Sequence, residues 1–461
     1  MDGLRTRQVI AVVLLCLAVR MAFFFVVQPW KPEVVNRVIL QQHDDPLEYH
    51  QLASTLVRSH RFAVSETAAP SARRTPLYPL YIAAHYWLFG ERPWVVILSQ
   101  IVLTSLTCMV LLLTLSRILG HQIAIIASLF FALDPNNIMY SDLLFSEIVF
   151  VFLLVIGFYL FSTSLLSSSR IVAGFCYIMY AVSLGLSTLT RPISLYLSMV
   201  IIMFLLVWYR RQIANGIRYS VIFLFFFVLT ISPWLIRNYK HYGSFSLSTV
   251  GSEVLLSYNV AYVEEPKRNE DLRSTREELQ VEVNDMIRAD GLLPGGVNPF
   301  LHAKYEKKLA IKYVRTDPIG FGKHYCLSLF SMLSAFGTNR LTEMLGYPIT
   351  KVDRKSYSNV GHFLKDFAKG KGLVDIVLAV VVGLFLCMLY LGFIIGLWIS
   401  WRRYHNGILI FCLLTVAYLV VVGALTAYAR FRLPATPFAL PFVGVGFHHL
   451  LRKLKIMKSV N

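Results

Sequence analysis

The sequence has few charged residues and none of the common motifs of soluble nucleotide-using enzymes. Charged residues make up 15% of its 461 residues, whereas soluble domains carry roughly a quarter. There is no P-loop, no glycine-rich dinucleotide fingerprint, no HExxH sequence and no nucleophile elbow. There is also no CxxC or Cys/His spacing, so neither a structural zinc site nor a disulfide framework is supported.

Apolar residues are abundant and indicate a protein that faces lipid. Hydrophobic residues make up 56% of the chain, and the net charge is +18. The basic residues lie mainly between apolar runs, which is how membrane proteins fix their orientation, so no nucleic-acid partner is expected. Five of the six cysteines fall inside apolar runs, which favours buried structural thiols; Cys326 is the exception.

About ten apolar segments are long enough to predict transmembrane helices, since a span needs roughly 20 apolar residues. They are 8–27, 94–117, 122–140, 144–166, 171–188, 193–209, 217–236, 373–399, 407–427 and 434–451. The first is expected to be an uncleaved span because it contains Arg20 and lacks a small-residue cleavage site. The predicted fold class is therefore an all-α polytopic membrane protein.

Two long polar segments divide the chain into three expected parts. Residues 1–236 form an N-terminal transmembrane catalytic module that includes the outer loop 28–93, residues 237–372 a mostly helical extracytoplasmic segment, and residues 373–461 a C-terminal three-helix transmembrane part. In the middle part, Asp271–Ala289 and Leu301–Arg315 have the charge patterns of amphipathic helices. The Tyr325–Phe336 stretch is apolar but too short to span, so it is expected to lie against the membrane.

Residues 76–90 are apolar and aromatic but short, and they are predicted to form an interfacial helix. If this segment does not span, the basic short loops and both termini share one side. By the positive-inside rule that side is the cytoplasm. Both termini are then cytoplasmic, and both long polar segments are extracytoplasmic.

The extracytoplasmic side collects three candidate acidic residues. Asp44 and Asp45 precede Pro46, which is a good helix start and so has a purely structural interpretation. Two adjacent carboxylates near a bilayer also suit a general base or a cation site. Glu147 begins an apolar segment, where either the helix dipole or a functional role explains it.

Four arginines are expected at matching depth on this same side. Each could be an interfacial anchor, but together they make an anion site more plausible, because arginine binds phosphate in bidentate fashion. They are Arg191, Arg237, Arg430 and Arg432.

Six short motifs resemble, in order, those of the GT-C glycosyltransferases. This superfamily includes protein O-mannosyltransferases and bacterial aminoarabinose and lipopolysaccharide-core sugar transferases. The motifs are DPLEYHQLA (45–53), RTPLYP (74–79), the 135–147 segment ending in Glu147, TRP (190–192), PWLIRNY (233–239) and RFRLP (430–434). No single motif is decisive, but their order over most of the chain is fairly specific.

The resemblance implies an inverting transfer of a sugar from a polyprenyl-phosphate donor to an acceptor hydroxyl on the extracytoplasmic side. Asp45 is then the expected general base and Glu147 a second catalytic acid. Residues expected to contact substrate are Asp44, Tyr49, Arg74, Tyr78, Arg191, Arg237, Asn238, Arg430 and Arg432. A divalent metal is possible but not required by the sequence, and a bacterial inner membrane is favoured over the endoplasmic reticulum.

Two other functions remain open at this point. A transporter or flippase for a lipid-linked or anionic substrate would also need arginines, although no internal repeat or broken midplane helix is evident. A non-catalytic membrane subunit is the second alternative. The sequence does not name the sugar, and the acceptor is a lipid, a glycan or a protein.

Overall fold

The computed structural model describes residues 2–40, 45–347, 372–403 and 407–454, and these residues form helices and loops without any β-strand. The N-terminal helices are α1 (Asp2–Val27), α2 (Pro32–Val34), α3 (Asp45–Ser59), α4 (Leu77–Phe89), α5 (Pro93–Leu119), α6 (His121–Ala132), α7 (Pro135–Ser141), α8 (Glu147–Leu166), α9 (Arg170–Thr190), α10 (Leu197–Trp208) and α11 (Ile213–Tyr242). The all-α fold class is confirmed.

The polar middle part and the apolar C-terminal part of the chain are also helical. The middle helices are α12 (Val250–Glu253), α13 (Ala261–Arg268), α14 (Leu272–Ala289), α15 (Pro299–Thr316), α16 (Pro318–Ser334) and α17 (Thr338–Met344). The last helices are α18 (Leu373–Arg403), α19 (Gly407–Gly423) and α20 (Thr436–Lys453). Helices thus form at the predicted segments 271–289 and 301–315, with Asp271 as the N-cap of α14.

Within the described residues, seven helices are long and apolar enough to cross a membrane. They are α1, α5, α8, α9, α11, α18 and α19. The predicted span 122–140 is a pair, α6 and α7, bent by 56°, and 193–209 forms only a short apolar helix. The segment 434–451 forms α20, which does not meet the same hydropathy test, so a count of ten spans is not confirmed.

Helix α4 occupies the predicted interfacial segment 76–90. It has 13 residues, and at a rise of about 1.5 Å per residue such a helix reaches only two-thirds of a hydrocarbon core roughly 30 Å thick. Its last turn exposes Trp87, Leu88 and Phe89, as suits a membrane interface. Helix α16 likewise exposes Ile319 and Leu327.

The bundle has two distinct polar ends. At one end, Gln8 contacts His121, Arg117 donates to the Tyr159 hydroxyl, and Gln122 contacts His448. The two long polar segments meet at the other end, where Arg73 contacts Glu253. The residues in the first three contacts and the two long polar segments therefore lie at opposite ends of the helices that join them.

Helices α18 and α20 pack with their backbones almost in contact, and glycines make this possible. Gly392 and Gly396 form a GxxxG pair on α18, the spacing that lets membrane helices approach closely. A methyl group added at Gly396 would lie 1.7 Å from the carbonyl oxygen of Phe442. No rotamer change can relieve this clash, because the opposing atom belongs to the backbone.

Gly396→Ala is therefore expected to destabilise the protein by about 1–3 kcal/mol, the usual cost of overpacking. The matched control is Gly174→Ala in α9, where an added methyl group meets nothing within 4 Å. Thermal unfolding of both variants in detergent checks the expectation. Equal unfolding temperatures for the two variants would contradict this close packing.

All six cysteines are free, as expected. Cys16, Cys108, Cys176 and Cys412 are buried, which confirms the prediction of buried thiols for these four. Cys387 was also expected to be buried but is exposed, because it lies on the outer face of α18, and Cys326 is exposed as well.

Candidate functional site

Six separate stretches of the chain supply charged side chains to one site at the end of the bundle where the two long polar segments meet. Helix α3 begins at Asp45, and the loop before α4 supplies two adjacent arginines. Helix α8 begins at Glu147, and Arg191 lies directly after α9. Arg430 lies in a 3-10 helix, Ala429–Arg432, before α20. The sixth stretch is α12, which ends at Glu253.

Asp45 is held by two guanidinium groups, one on each carboxylate oxygen. Oδ1 accepts from Nη2 of Arg74, and Oδ2 lies 2.7 Å from Nη2 of Arg430. Burial alone raises the pKa of Asp45, but the two guanidiniums outweigh burial and hold this pKa well below its usual range. Asp45 is therefore a firmly ionised carboxylate with both oxygens occupied.

Glu147 is completely buried at the first position of α8. Its Oε1 pairs with Nη1 of Arg191 and lies 3.7 Å from Nε of Arg430. Its Oε2 has no hydrogen-bond partner among the described residues. A buried carboxylate is costly unless it is paired, so Arg191 stabilises Glu147 in this position.

Arg430 joins the two candidate catalytic carboxylates, since it contacts both Asp45 and Glu147. Burial by itself lowers the pKa of Arg430, but the two carboxylates raise it above its ordinary value. The rings of Phe145 and Phe431 lie against its guanidinium, with centroids 4.8 and 4.9 Å from Cζ. Residues that are distant in the sequence are thus brought together.

The ion pairs continue outward as an alternating row of carboxylates and guanidiniums. Nε of Arg74 lies 2.7 Å from Glu48, which also contacts Arg73. Arg73 in turn binds Glu253 through two hydrogen bonds of 2.8 and 2.9 Å. In order, the row is Glu253, Arg73, Glu48, Arg74, Asp45, Arg430, Glu147 and Arg191. Its charges balance before any substrate binds, and it ties the middle segment to the first loop.

Tyr49 and Tyr78, two of the residues predicted to contact substrate, pack against each other beside Arg74. The Tyr49 ring lies 4.9 Å from Cζ of Arg74, and its hydroxyl is 3.4 Å from that of Ser146. Tyr78 packs edge-on against Tyr49, with ring centroids 4.8 Å apart. The Tyr78 hydroxyl donates to Gln100 at 2.8 Å, so Tyr78 faces the helix bundle.

Gln100 is a buried residue in α5 whose role was not foreseen from the sequence. Its side-chain amide donates to the carbonyl oxygens of Ser141 and Leu143 at 3.1 and 2.8 Å. These two residues lie in the connection between α7 and α8. Gln100 therefore connects Tyr78 to the turn that leads to Glu147. The sequence did contain a signal for such a role, because Gln100 is a lone glutamine inside an apolar run.

Arg20 is a second residue whose structural role was not predicted from the sequence. It is fully buried in α1 and donates to the carbonyl oxygen of Ala132 at 2.9 Å and to Oδ1 of Asn137 at 2.8 Å. Asp134 caps α7 by accepting from the backbone N–H of Asn136 at 3.0 Å. Together these contacts hold the bend between α6 and α7.

Within the described ranges, no contact brings Arg237 or Asn238 to Asp45 or Glu147. Arg237 donates to the carbonyl oxygen of Ser71 at 2.9 Å and lies 4.6 Å from the Trp234 ring. Asn238 is buried and donates to the carbonyl oxygen of Ser246 at 2.7 Å. Both residues fasten the ends of the polar segments to α11.

Arg432 is also directed away from the carboxylates. Its guanidinium donates to the carbonyl oxygens of Met332 at 2.9 Å, Leu333 at 2.8 Å and Ala335 at 3.3 Å. These carbonyls lie at the C-terminal end of α16, where backbone carbonyls lack partners within the helix and a cation is favoured. Asp44, the remaining predicted contact residue, lies outside the described residues.

The described residues do not fit a divalent metal site. Both candidate catalytic carboxylates have guanidinium groups as their neighbours, and a second positive charge beside them would be repelled. Among the residues that the structure describes, no group of three or more His, Cys, Asp or Glu side chains could hold a metal ion. The chemistry of the donor set therefore favours guanidinium groups as the cations of this site.

Comparison with known proteins agrees with this architecture. A family model described as dolichyl-phosphate-mannose-protein mannosyltransferase matches residues 73–236. The oligosaccharyltransferase AglB from Archaeoglobus fulgidus, in complex with an inhibitory peptide and a dolichol-phosphate, has 13% sequence identity and a TM-score of 0.56, covering 100% of this chain and 52% of that chain. Its apo form gives 14% identity and the same TM-score, covering 98% and 51%.

A third solved structure overlaps less well. ArnT from Cupriavidus metallidurans bound to undecaprenyl phosphate has 15% identity and a TM-score of 0.38, covering 96% of this chain and 79% of that chain. No curated protein matches the sequence. The chain spans about half the length of the archaeal oligosaccharyltransferases that it matches.

The fold is that of a multi-pass membrane protein and is similar to the fold of the GT-C glycosyltransferases. The resemblance to this superfamily, first indicated by six ordered motifs, is thereby confirmed. Three of those motifs, RTPLYP, the 135–147 segment and TRP, lie within residues 73–236, as do the first four residues of PWLIRNY.

Proposed function

We propose that this protein transfers a sugar from a polyprenyl-phosphate donor to an acceptor hydroxyl, with inversion at the anomeric carbon. The observation that carries this proposal is the contact of Arg430 with both Asp45 and Glu147. It brings a general base and a phosphate-binding cation together at the end of an apolar helix bundle. A lipid-linked phosphate requires such a cation near the headgroups, with lipid beside it.

Asp45 is assigned the role of general base. The acceptor oxygen forms a bond to the anomeric carbon while its proton moves to a carboxylate oxygen of Asp45. The bond from the anomeric carbon to the phosphate oxygen breaks, and its electron pair leaves with polyprenyl phosphate. Positioned carboxylates typically contribute about 10²–10⁴-fold to such proton transfers.

Arg430 and Arg191 are assigned the role of binding the phosphate group of the donor. Both guanidiniums border Glu147, and both stack on the ring of Phe431, with Cζ 4.9 and 5.0 Å from its centroid. They are therefore held close together, and two arginines can stabilise the negative charge that develops on the leaving phosphate. Glu147 fixes their positions from the buried side. The polyprenyl phosphates named in the complexes of AglB and ArnT support a donor of this type.

The site is proposed to face the extracytoplasmic side, with both termini in the cytoplasm of a bacterial cell. The end of the bundle opposite the site carries the basic loops, which the positive-inside rule assigns to the cytoplasm. Labelling of single cysteines introduced near Tyr49, in a background without the exposed Cys326 and Cys387, tests this orientation. Protection of these cysteines from a membrane-impermeant reagent in intact cells would contradict it.

The proposed reaction is tested with purified protein in nanodiscs and a radiolabelled polyprenyl-phosphate sugar. A transferase moves the label to an acceptor and releases polyprenyl phosphate in equal amount. A transporter or flippase would move the intact donor across the bilayer without cleaving it. Supplying membrane lipids, glycans and proteins in turn as acceptors identifies the acceptor class, and donor left intact with all of them would refute the transferase.

A further inference from the structure

The arrangement of the site poses a chemical problem, because the base is not free to act. Both oxygens of Asp45 are occupied by guanidinium groups, from Arg74 and Arg430. A carboxylate paired in this way has little affinity for a proton, although each oxygen keeps a second lone pair that can accept one. Asp45 becomes a stronger base when one of the two guanidiniums moves away from it.

The two arginines are anchored unequally. Apart from Asp45, Arg74 has a second carboxylate, Glu48, at 2.7 Å, and it stacks on the Tyr49 ring at 4.9 Å. Apart from Asp45, the carboxylate nearest to Arg430 is Glu147 at 3.7 Å, and Nε of Arg430 makes no hydrogen bond within the described part of the chain. Both guanidiniums stack on aromatic rings, Arg430 on those of Phe145 and Phe431, so the difference between them lies in their carboxylate partners. Among the described side chains, Arg430 has no close carboxylate other than Asp45, whereas Arg74 keeps Glu48.

Resting on the proposed function, we propose that Arg430 exchanges Asp45 for the donor phosphate, so that the base is released only when a donor is bound. The phosphate offers Arg430 the bidentate partner that it lacks here. The attraction of Arg430 to the phosphate increases as the reaction proceeds. The phosphodiester of the donor carries one negative charge, whereas the departing phosphomonoester carries close to two. Asp45 thus becomes a stronger base while the bond to the sugar breaks.

The return of Arg430 completes the cycle. Once polyprenyl phosphate leaves, Arg430 again meets the carboxyl group of Asp45, which now carries the acceptor's proton. The guanidinium favours the charged carboxylate, so the proton is released to water and the starting ion pair is restored. The exchange couples base strength to donor occupancy without any rearrangement of helices.

The test is a double-mutant cycle on the binding of a short-chain polyprenyl monophosphate, measured in detergent by native mass spectrometry. Asp45 competes with the phosphate for Arg430, so Asp45→Asn is expected to tighten binding by roughly 5- to 150-fold, the usual range of coupling between two ligands of one group. In an Arg430→Ala background the same substitution is expected to leave affinity nearly unchanged. Arg430→Gln replaces Arg430→Ala if the alanine variant does not fold.

Glu48→Gln is the matched control, because Glu48 contacts Arg73 and Arg74 but not Arg430. It removes one negative charge from the same row and is expected to change affinity little. Equal tightening by Asp45→Asn with and without Arg430 would show simple charge repulsion and overturn the exchange, as would no tightening at all. A folded wild-type protein that binds no polyprenyl phosphate would instead refute the proposed function itself.

Discussion

Asp45→Asn is expected to lower the rate of sugar transfer by about 10²–10⁴-fold, the contribution of a general base. Asparagine has nearly the shape of aspartate but cannot accept the acceptor's proton. The variant keeps a polar side chain beside Arg74 and Arg430, and both arginines retain a second carboxylate, Glu48 or Glu147. The loss should therefore appear in kcat and not in the amount of folded protein.

Single-turnover transfer in nanodiscs measures this effect separately from donor binding. Asp285→Asn is the control, since Asp285 lies on α14, has a side chain that is 62% exposed and pairs with Arg288. The control should transfer sugar at the wild-type rate. If Asp45→Asn retained more than a tenth of the wild-type rate, Asp45 would not be the base, and Glu147 would become the next candidate.

Arg191→Met is expected to have the largest effect on stability, about 3–5 kcal/mol, the usual cost of removing one partner from a buried ion pair. Glu147 is fully buried and pairs directly with Arg191. Without that guanidinium, only Arg430 at 3.7 Å remains to balance its charge. Methionine fills much of the same volume, so the loss reflects charge and not an empty cavity.

The double variant Arg191→Met, Glu147→Gln serves as the internal control. Removing the charge of Glu147 as well should restore most of the lost stability, because no unpaired carboxylate then remains buried. Unfolding temperatures in detergent compare the single and double variants with the wild-type protein. A double variant no more stable than Arg191→Met alone would show that this pair does not set the stability of the site.

The proposed mechanism relies on arginine in preference to metal. Each carboxylate of the row touches a guanidinium, and each guanidinium touches a carboxylate. Such a row is stable without substrate, yet it contains cations that a phosphate can recruit. Arginine suits this use because it stays charged and binds phosphate through two parallel hydrogen bonds.

Much of the architecture was determined by the sequence itself. Long apolar runs can satisfy their backbone in lipid only as helices, so the positions of the long membrane helices followed from composition. The placement of basic loops then assigned Asp45, Glu147 and Arg430 to one end of the bundle, and the structure does bring these three side chains together. The bend between α6 and α7 was not predicted, although Asp134 and Pro135 inside the segment 122–140 are a helix-start signal.

The pairing of the arginines was decided only by the tertiary structure. Arg430 and Arg432 belong to the same short motif, yet one contacts Asp45 and the other contacts the carbonyls at the end of α16. They lie in a 3-10 helix with about three residues per turn, so side chains two positions apart point in different directions. The sequence placed both arginines just before the last helix, but the direction of each side chain depended on a local turn and on the helices packed around it.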